Sequence, residues 1–178
     1  QSKALTNAVS LLITSPQGLY ISKIKLVSDS IGNAASTKRS VLQALQTGDT
    51  NAPVTITTTI SSDTQLQQLN TVLGDSTGAV TASVSATSAK IISELVDTGK
   101  KATSSDALTY TIASNINVED TNSIVAKTSL STIILDTGYK LADSLSNLMD
   151  GSGSLKTAAA NAADAFSTNA NVVVDTIT

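Results

Sequence analysis

Only four aromatic side chains, Tyr20, Tyr110, Tyr139 and Phe166, are available to fill the interior of this 178-residue chain. A buried aromatic ring contributes a large apolar area. The core must therefore be assembled from Leu, Ile, Val and Ala, with Thr and Ser at its margins. Such a core favours elements that approach closely on small side chains.

The residues that are missing narrow the chemistry further. His, Cys and Trp are absent, and about three residues in ten are Ser or Thr. The commonest general base, the thiolate nucleophile and the usual ligands of transition metals are thus removed together. The chain is expected to be non-enzymatic, with no cofactor and no metal. A net charge of −3 argues against nucleic acid as a partner. Lys23, Lys25, Lys38 and Arg39 make the first third slightly basic, but too diffusely to focus a field. No stretch approaches the ~18–20 apolar residues of a membrane span.

High Ser/Thr content with few charges points to an extracellular, secreted protein. Gln1 in place of Met fits a removed secretory leader or a trimmed chain. No Asn stands in an Asn-X-Ser/Thr acceptor, whereas the Thr-rich run 54–59 beside Pro53 suits O-glycosylation. Without Cys, a secreted form must rely on packing alone.

Apolar spacing predicts helices. Residues 4–13 read as a short amphipathic helix. From Tyr20, apolar residues at 24, 27, 31, 34, 41 and 45 fall on alternating steps of four and three, with Lys38 in the one odd slot, the heptad spacing of helices that pack at a shallow angle. Residues 49–61, with Pro53, read as a Thr-rich extended loop that tucks in Val54, Ile56 and Ile60. Ser62 or Asp63 can cap a second long helix whose seam is Leu66, Leu69, Leu73, Val80, Val84, Ile91 and Leu95. Gly74 and Gly78 interrupt it, as expected where a neighbour comes close. A short helix carries Leu108, Ile112 and Ile116. Asn117 caps a third long helix running through Ile124, Ile134, Leu141 and Leu148. After Gly151-Ser152-Gly153, Ser154 caps a fourth with Leu155, Ala159, Ala162, Phe166 and Val173. The expected fold is all-α: one domain over residues 1–178, an antiparallel helical bundle of four long helices plus one or two short ones. No internal repeat is evident.

Candidate chemistry is sparse. Ser22-Lys23 and Ser88-Ala89-Lys90 are chance pairings in a Ser-rich chain, and no Gly-X-Ser-X-Gly elbow is present. The carboxylate pairs Glu94/Asp97 and Glu119/Asp120 read as solvated helix surface, without EF-hand spacing. Gly74-X-X-X-Gly78 lacks the lysine of a phosphate loop. Thr87, Thr98 and Thr109 stand eleven apart, as do Thr157 and Thr168, a spacing that could line one helix face for ice binding but also straddles an expected break. The amphipathic stripes suggest a binding module: a bundle that holds a hydrophobic small molecule or lipid, or coats a hydrophobic surface. Its cavity would be lined by Tyr20, Ile24, Leu69, Leu73, Ile134, Leu141 and Phe166. The alternative is a structural, self-assembling extracellular protein (a coat, silk-like or filament subunit), with homo-oligomers.

Overall fold

A spacing of four residues fits one turn of helix and two periods of strand equally well. Val80, Ala82, Val84 and Ala86 are all buried, while Thr81 and Ser83 between them are exposed. That alternation belongs to a strand, and β-branched Val and Thr favour one. The same holds for Leu108, Tyr110 and Ile112, buried on one side of Ala107–Ile112. The expected all-α bundle is therefore overturned: the protein is α/β with parallel sheets.

The computed structural model describes residues 27–29, 53–76, 78–127, 132–167 and 171–175. In chain order the elements are β1 (Val27–Asp29), β2 (Val54–Ile56), α1 (Asp63–Asp75), β3 (Val80–Ala86) and α2 (Ser88–Ile91). The last runs on into a π-helical turn, Ile92–Val96. β4 (Ala107–Ile112), α3 (Val118–Val125), β5 (Thr132–Leu135), β6 (Leu141–Asp143), α4 (Leu145–Leu148), α5 (Thr157–Asp164) and β7 (Val172–Val174) follow.

Each strand is added beside its predecessor. The first sheet runs β1-β2-β3-β4-β5, every pair parallel. Val27 pairs with Val54, Val54 with Val80, Thr81 with Ala107 and Thr109 with Thr132, so successive coils take 27, 26, 26 and 23 residues. A parallel bridge from Ile133 to Phe166 continues this row. A second row forms beyond a corner, where Ile116 bridges Leu141 and β6 pairs with β7, again in parallel. The helices stack in the same order: α1 touches the π-helical turn, that turn touches α3, and α3 touches α5. The result is a solenoid-like stack in which each coil leans mainly on its neighbours.

The expected long helices are thus cut into shorter pieces. The second ends at Asp75, and β3 interrupts its supposed seam. The third divides into α3, β5, β6 and α4, and the fourth into α5, the Phe166 bridge and β7. Lys156, not Ser154, stands at the N-cap of α5, and its side chain makes no capping bond. Of the Thr-rich segment near 49–61, the described residues 53–61 are not a loop beside a bundle. Val54, Ile56 and Ile60 are buried as strand residues, with β2 paired on both sides and Ile60 bridged to Val84. The runs over 4–13 and 20–26 lie outside the described residues, as do residues 30–52.

Local capping follows the sequence closely. Ser62 and Gln65 form a reciprocal capping box at α1, and the Asn117 side chain accepts from the Asp120 N–H at 2.7 Å. Four residues beyond four of the five α-helical N-caps the side chain is buried: Leu66 after Ser62, Ile91 after Thr87, Thr121 after Asn117 and Leu148 after Ser144. This is the repeated unit of the helix layer.

Candidate functional site

Of the seven residues expected to line a cavity, five are described. Leu69 and Leu141 are fully buried, and Leu73 and Phe166 nearly so, all within the continuous apolar core. Leu69 and Leu73 lie on α1, Leu141 on β6 and Phe166 at the start of the last coil. Ile134 is half-buried on β5. Tyr20 and Ile24 lie outside the described residues. The four buried ones pack against the other apolar side chains of the core.

Polar side chains instead stitch one coil to the next. The Asp106 carboxylate is buried and accepts from the Val80 N–H of the preceding coil at 2.9 Å, and from the N–H and hydroxyl of Thr103, each at 2.9 Å. Ser114 Oγ accepts from the Ser88 N–H at 3.0 Å, and Asn115 Oδ1 from the Lys140 N–H at 3.1 Å. Asp143 accepts from the Val118 N–H at 3.0 Å, from its own neighbour Ser144 N–H at 2.7 Å and from Asn147 Nδ2 at 2.8 Å. Burial alone would raise the Asp143 carboxyl, but these three hydrogen bonds outweigh it and hold the group below its ordinary range. These are positions that composition-based reading missed. Their signal is a polar residue one coil away from its backbone partner, as with Ser88 and Ser114.

Among the described residues two groups are pushed up from their ordinary values. The Asp120 carboxyl is pushed up by burial first, then by the charges of Glu119, Asp97 and Asp143. Tyr110, buried on β4, has its phenol pushed well above the ordinary value by burial and then by the charge of Asp106. Its hydroxyl has no hydrogen-bond partner. Among the described residues no group of three or more carboxylates gathers as a cation site.

Two surfaces remain. The outward side of the first sheet carries Thr55, Thr81, Ser83, Ser85, Thr109 and Thr111, with Thr55 registered against Thr81, Ser83 against Thr109 and Ser85 against Thr111. This is the true regularity of the hydroxyl residues, running across strands. The eleven-residue Thr spacing is not a face. Thr87 precedes α2, Thr98 follows the π-helical turn and Thr109 lies on β4. Thr157 opens α5, and Thr168 lies outside the described residues.

The second surface is an open depression of about 860 Å³ beside α4, lined by Leu145, Met149, Gly151, Gly153 and Lys156 among others. The turn at its rim is fixed by Asp150, whose Oδ1 accepts from Ser152 Oγ and from the Ser152 and Ser154 N–H groups. Those bonds, the Ser152 hydroxyl foremost, hold its carboxyl low.

No protein-family model, curated protein sequence or solved structure matches the chain. No described helix is long and apolar enough to cross a membrane.

Proposed function

We propose that the protein is a non-enzymatic structural module of the cell exterior, a stack of coils that assembles into larger extracellular architecture. One observation carries this reading. Every described strand of the first sheet pairs in parallel with the next in sequence order, so the described residues form a one-dimensional scaffold around a continuous apolar core. Architectures of this kind extend by adding units and present long regular surfaces. The hydroxyl-bearing sheet face and the scarcity of charge support a setting outside the cell.

Native mass spectrometry of the protein from its natural source tests the reading. A bare or covalently modified chain, present as multimers, is the expected result. A small molecule that leaves on denaturation would overturn it.

A second reading rests on the depression beside α4. Leu145 is 47% exposed there, and with Met149 it offers apolar surface to a lipid or other hydrophobic small molecule. Displacement of a lipophilic dye tests it. Dye binding that Leu145→Glu abolishes supports this reading, and absence of binding by any lipid class removes it.

A further inference from the structure

We infer that Asp150-Gly151 is a spontaneous modification site of the chain, a bond that rearranges to an isoaspartyl linkage when the turn over 150–154 opens and that the closed turn holds intact. The inference goes beyond both functional readings and depends on neither.

Asp150-Gly151 is the one Asp-Gly pair in the 178 residues, and no Asn-Gly pair is present. A backbone nitrogen reaches the preceding carboxyl carbon most readily when its own residue has no Cβ in the way. In the first step the Gly151 nitrogen bonds to Cγ of the protonated Asp150 carboxyl, and the Cγ–OH bond breaks. Water leaves, made of that hydroxyl and the amide proton, and a five-membered succinimide remains. Water then adds at the Asp150 backbone carbonyl and cleaves its bond to nitrogen. The chain now runs through Cγ, one methylene longer, at unchanged mass.

Backbone conformation does not demand glycine at 151. Gly153, at φ +81°, occupies the left-handed region that favours glycine; Gly151 does not, and a Cβ added there meets nothing within 4 Å. Gly151→Ala therefore removes the reactive pair without strain.

The closed turn opposes the reaction at both partners. Asp150 Oδ1 accepts from Ser152 Oγ at 2.6 Å, from the Ser152 N–H at 2.9 Å and from the Ser154 N–H at 3.0 Å. These bonds aim the carboxyl at residues 152 and 154. They also hold it ionised, the form that has no hydroxyl to lose. The Asp150 N–H donates to the Ser154 carbonyl at 2.8 Å and the Gly153 N–H to the Asp150 carbonyl at 3.2 Å, while Met149 bridges Leu155 just outside. The backbone on each side of the reacting bond is thus pinned. Reaction requires local opening, so its rate reads the opened fraction of this turn. The turn borders the depression beside α4, and an inserted methylene would undo its closure there.

Peptide mapping of the full 178-residue chain, aged in neutral buffer, tests this. Isoaspartate at 150 is read by enzymatic methylation and by a retention shift at unchanged mass. The folded parent should react more than about tenfold more slowly than the same chain in concentrated urea, since three hydrogen bonds to the carboxyl, each worth roughly fivefold, must open. Ser152→Ala removes one of these donors and should react about fivefold faster than the parent. Ser152→Thr keeps the hydroxyl and should match the parent, and Gly151→Ala should form little isoaspartate in either state. No isoaspartate at 150 in urea overturns the site. Equal rates in the folded and urea-unfolded parent overturn the lock, and a Ser152→Ala rate equal to the parent's overturns the part given to the Ser152 hydroxyl. Should Ser152→Ala lose the parent's circular dichroism spectrum, the folded-to-urea ratio of the parent decides alone.

Discussion

The coils spanning 54–106 and those spanning 132–175 are built to the same pairing rule but filled differently. In the first region a coil takes 26 residues, one helical segment backs each strand, and the inner face is wholly aliphatic. In the second, Ile133 reaches Phe166 only after 33 residues and Leu141 reaches Val172 after 31. The additional length goes into the turn between α4 and α5, where Met149 and Leu155 bridge in antiparallel fashion. Both ladders keep their parallel register across it. The stack therefore fixes which residues pair and leaves the length between pairings free, as expected when insertions fall on exposed connections.

Truncating one leucine in each region is the sharpest way to break this comparison. Leu69 is fully buried in the core, and Leu69→Ala should cost about 3 kcal/mol, the transfer loss plus an unfilled cavity. Leu155 is nearly half exposed, and Leu155→Ala should cost no more than about 0.5 kcal/mol. Urea unfolding of both variants measures the difference. Equal losses would mean that the two regions are equally packed and that the contrast drawn from exposure is wrong.

Next in size is the buried stitch between coils. Asp106→Ala removes the acceptor for the Val80 and Thr103 N–H groups and should cost about 2–3 kcal/mol, because the buried Val80 N–H is left unpaired. Amide exchange at Val80 should accelerate along with the global loss. An exchange rate at Val80 unchanged beyond the global effect would show that another acceptor takes over.

How much of this was legible in the sequence depends on which physical signal each residue carries. Capping at Ser62 and Asn117 was legible because it is local: a side-chain oxygen and an N–H three residues on. Burial of Leu66, Leu69, Val80, Val84, Ile91, Leu95, Leu108 and Ile112 was legible too, since apolar residues bury in either element. The element type was not. Val80 to Val84 and Leu108 to Ile112 are steps of four, and only Ala82 and Tyr110 at the midpoints distinguish a strand from a helix. Heptad spacing outweighed those small or lone midpoints. The repeat was hidden because coil lengths vary and the matched positions share burial rather than identity, with Thr121 standing where Leu66 and Ile91 do. Nothing local announces that Asp106 reaches back to Val80, or that the expected cavity residues would be spread over α1, β5, β6 and the last bridge.

The corner carboxylates allow the comparison to be sharpened by pH. Asp143 belongs to the second region and is held below the ordinary carboxylate value of 3.8 by hydrogen bonds from Asn147, Val118 and Ser144 that outweigh its burial. A depressed folded-state value contributes stability above the unfolded-state value, and that contribution is lost as pH falls through the folded one. Asp143→Asn should therefore lower stability by about 1 kcal/mol at pH 7, with the gap to the parent closing as pH drops below 3.8. Thermal melts of both proteins between pH 7 and about pH 2 check this. A gap that stays constant would mean the loss comes from geometry and not from the charge.

The smallest expected effect has the opposite sign and belongs to the first region's boundary. Tyr110 buries its ring in the core with a hydroxyl that no partner satisfies. A buried polar group without a hydrogen bond costs free energy, and removing it can be neutral or favourable. Tyr110→Phe keeps the ring and should leave stability at pH 7 unchanged or raised by up to about 1 kcal/mol. The pH dependence separates this from a simple packing change. The phenol is pushed above its ordinary value of 10.0 by burial and then by Asp106. Above that ordinary value the unfolded chain releases the proton while the folded one retains it, so the parent loses stability as pH rises. Tyr110→Phe lacks this term, and its advantage in melting temperature should widen between pH 9 and pH 11. A variant less stable than the parent at pH 7, with a gap that does not change with pH, would show that the hydroxyl is satisfied in solution and that the interior of β4 is wetter than its burial implies.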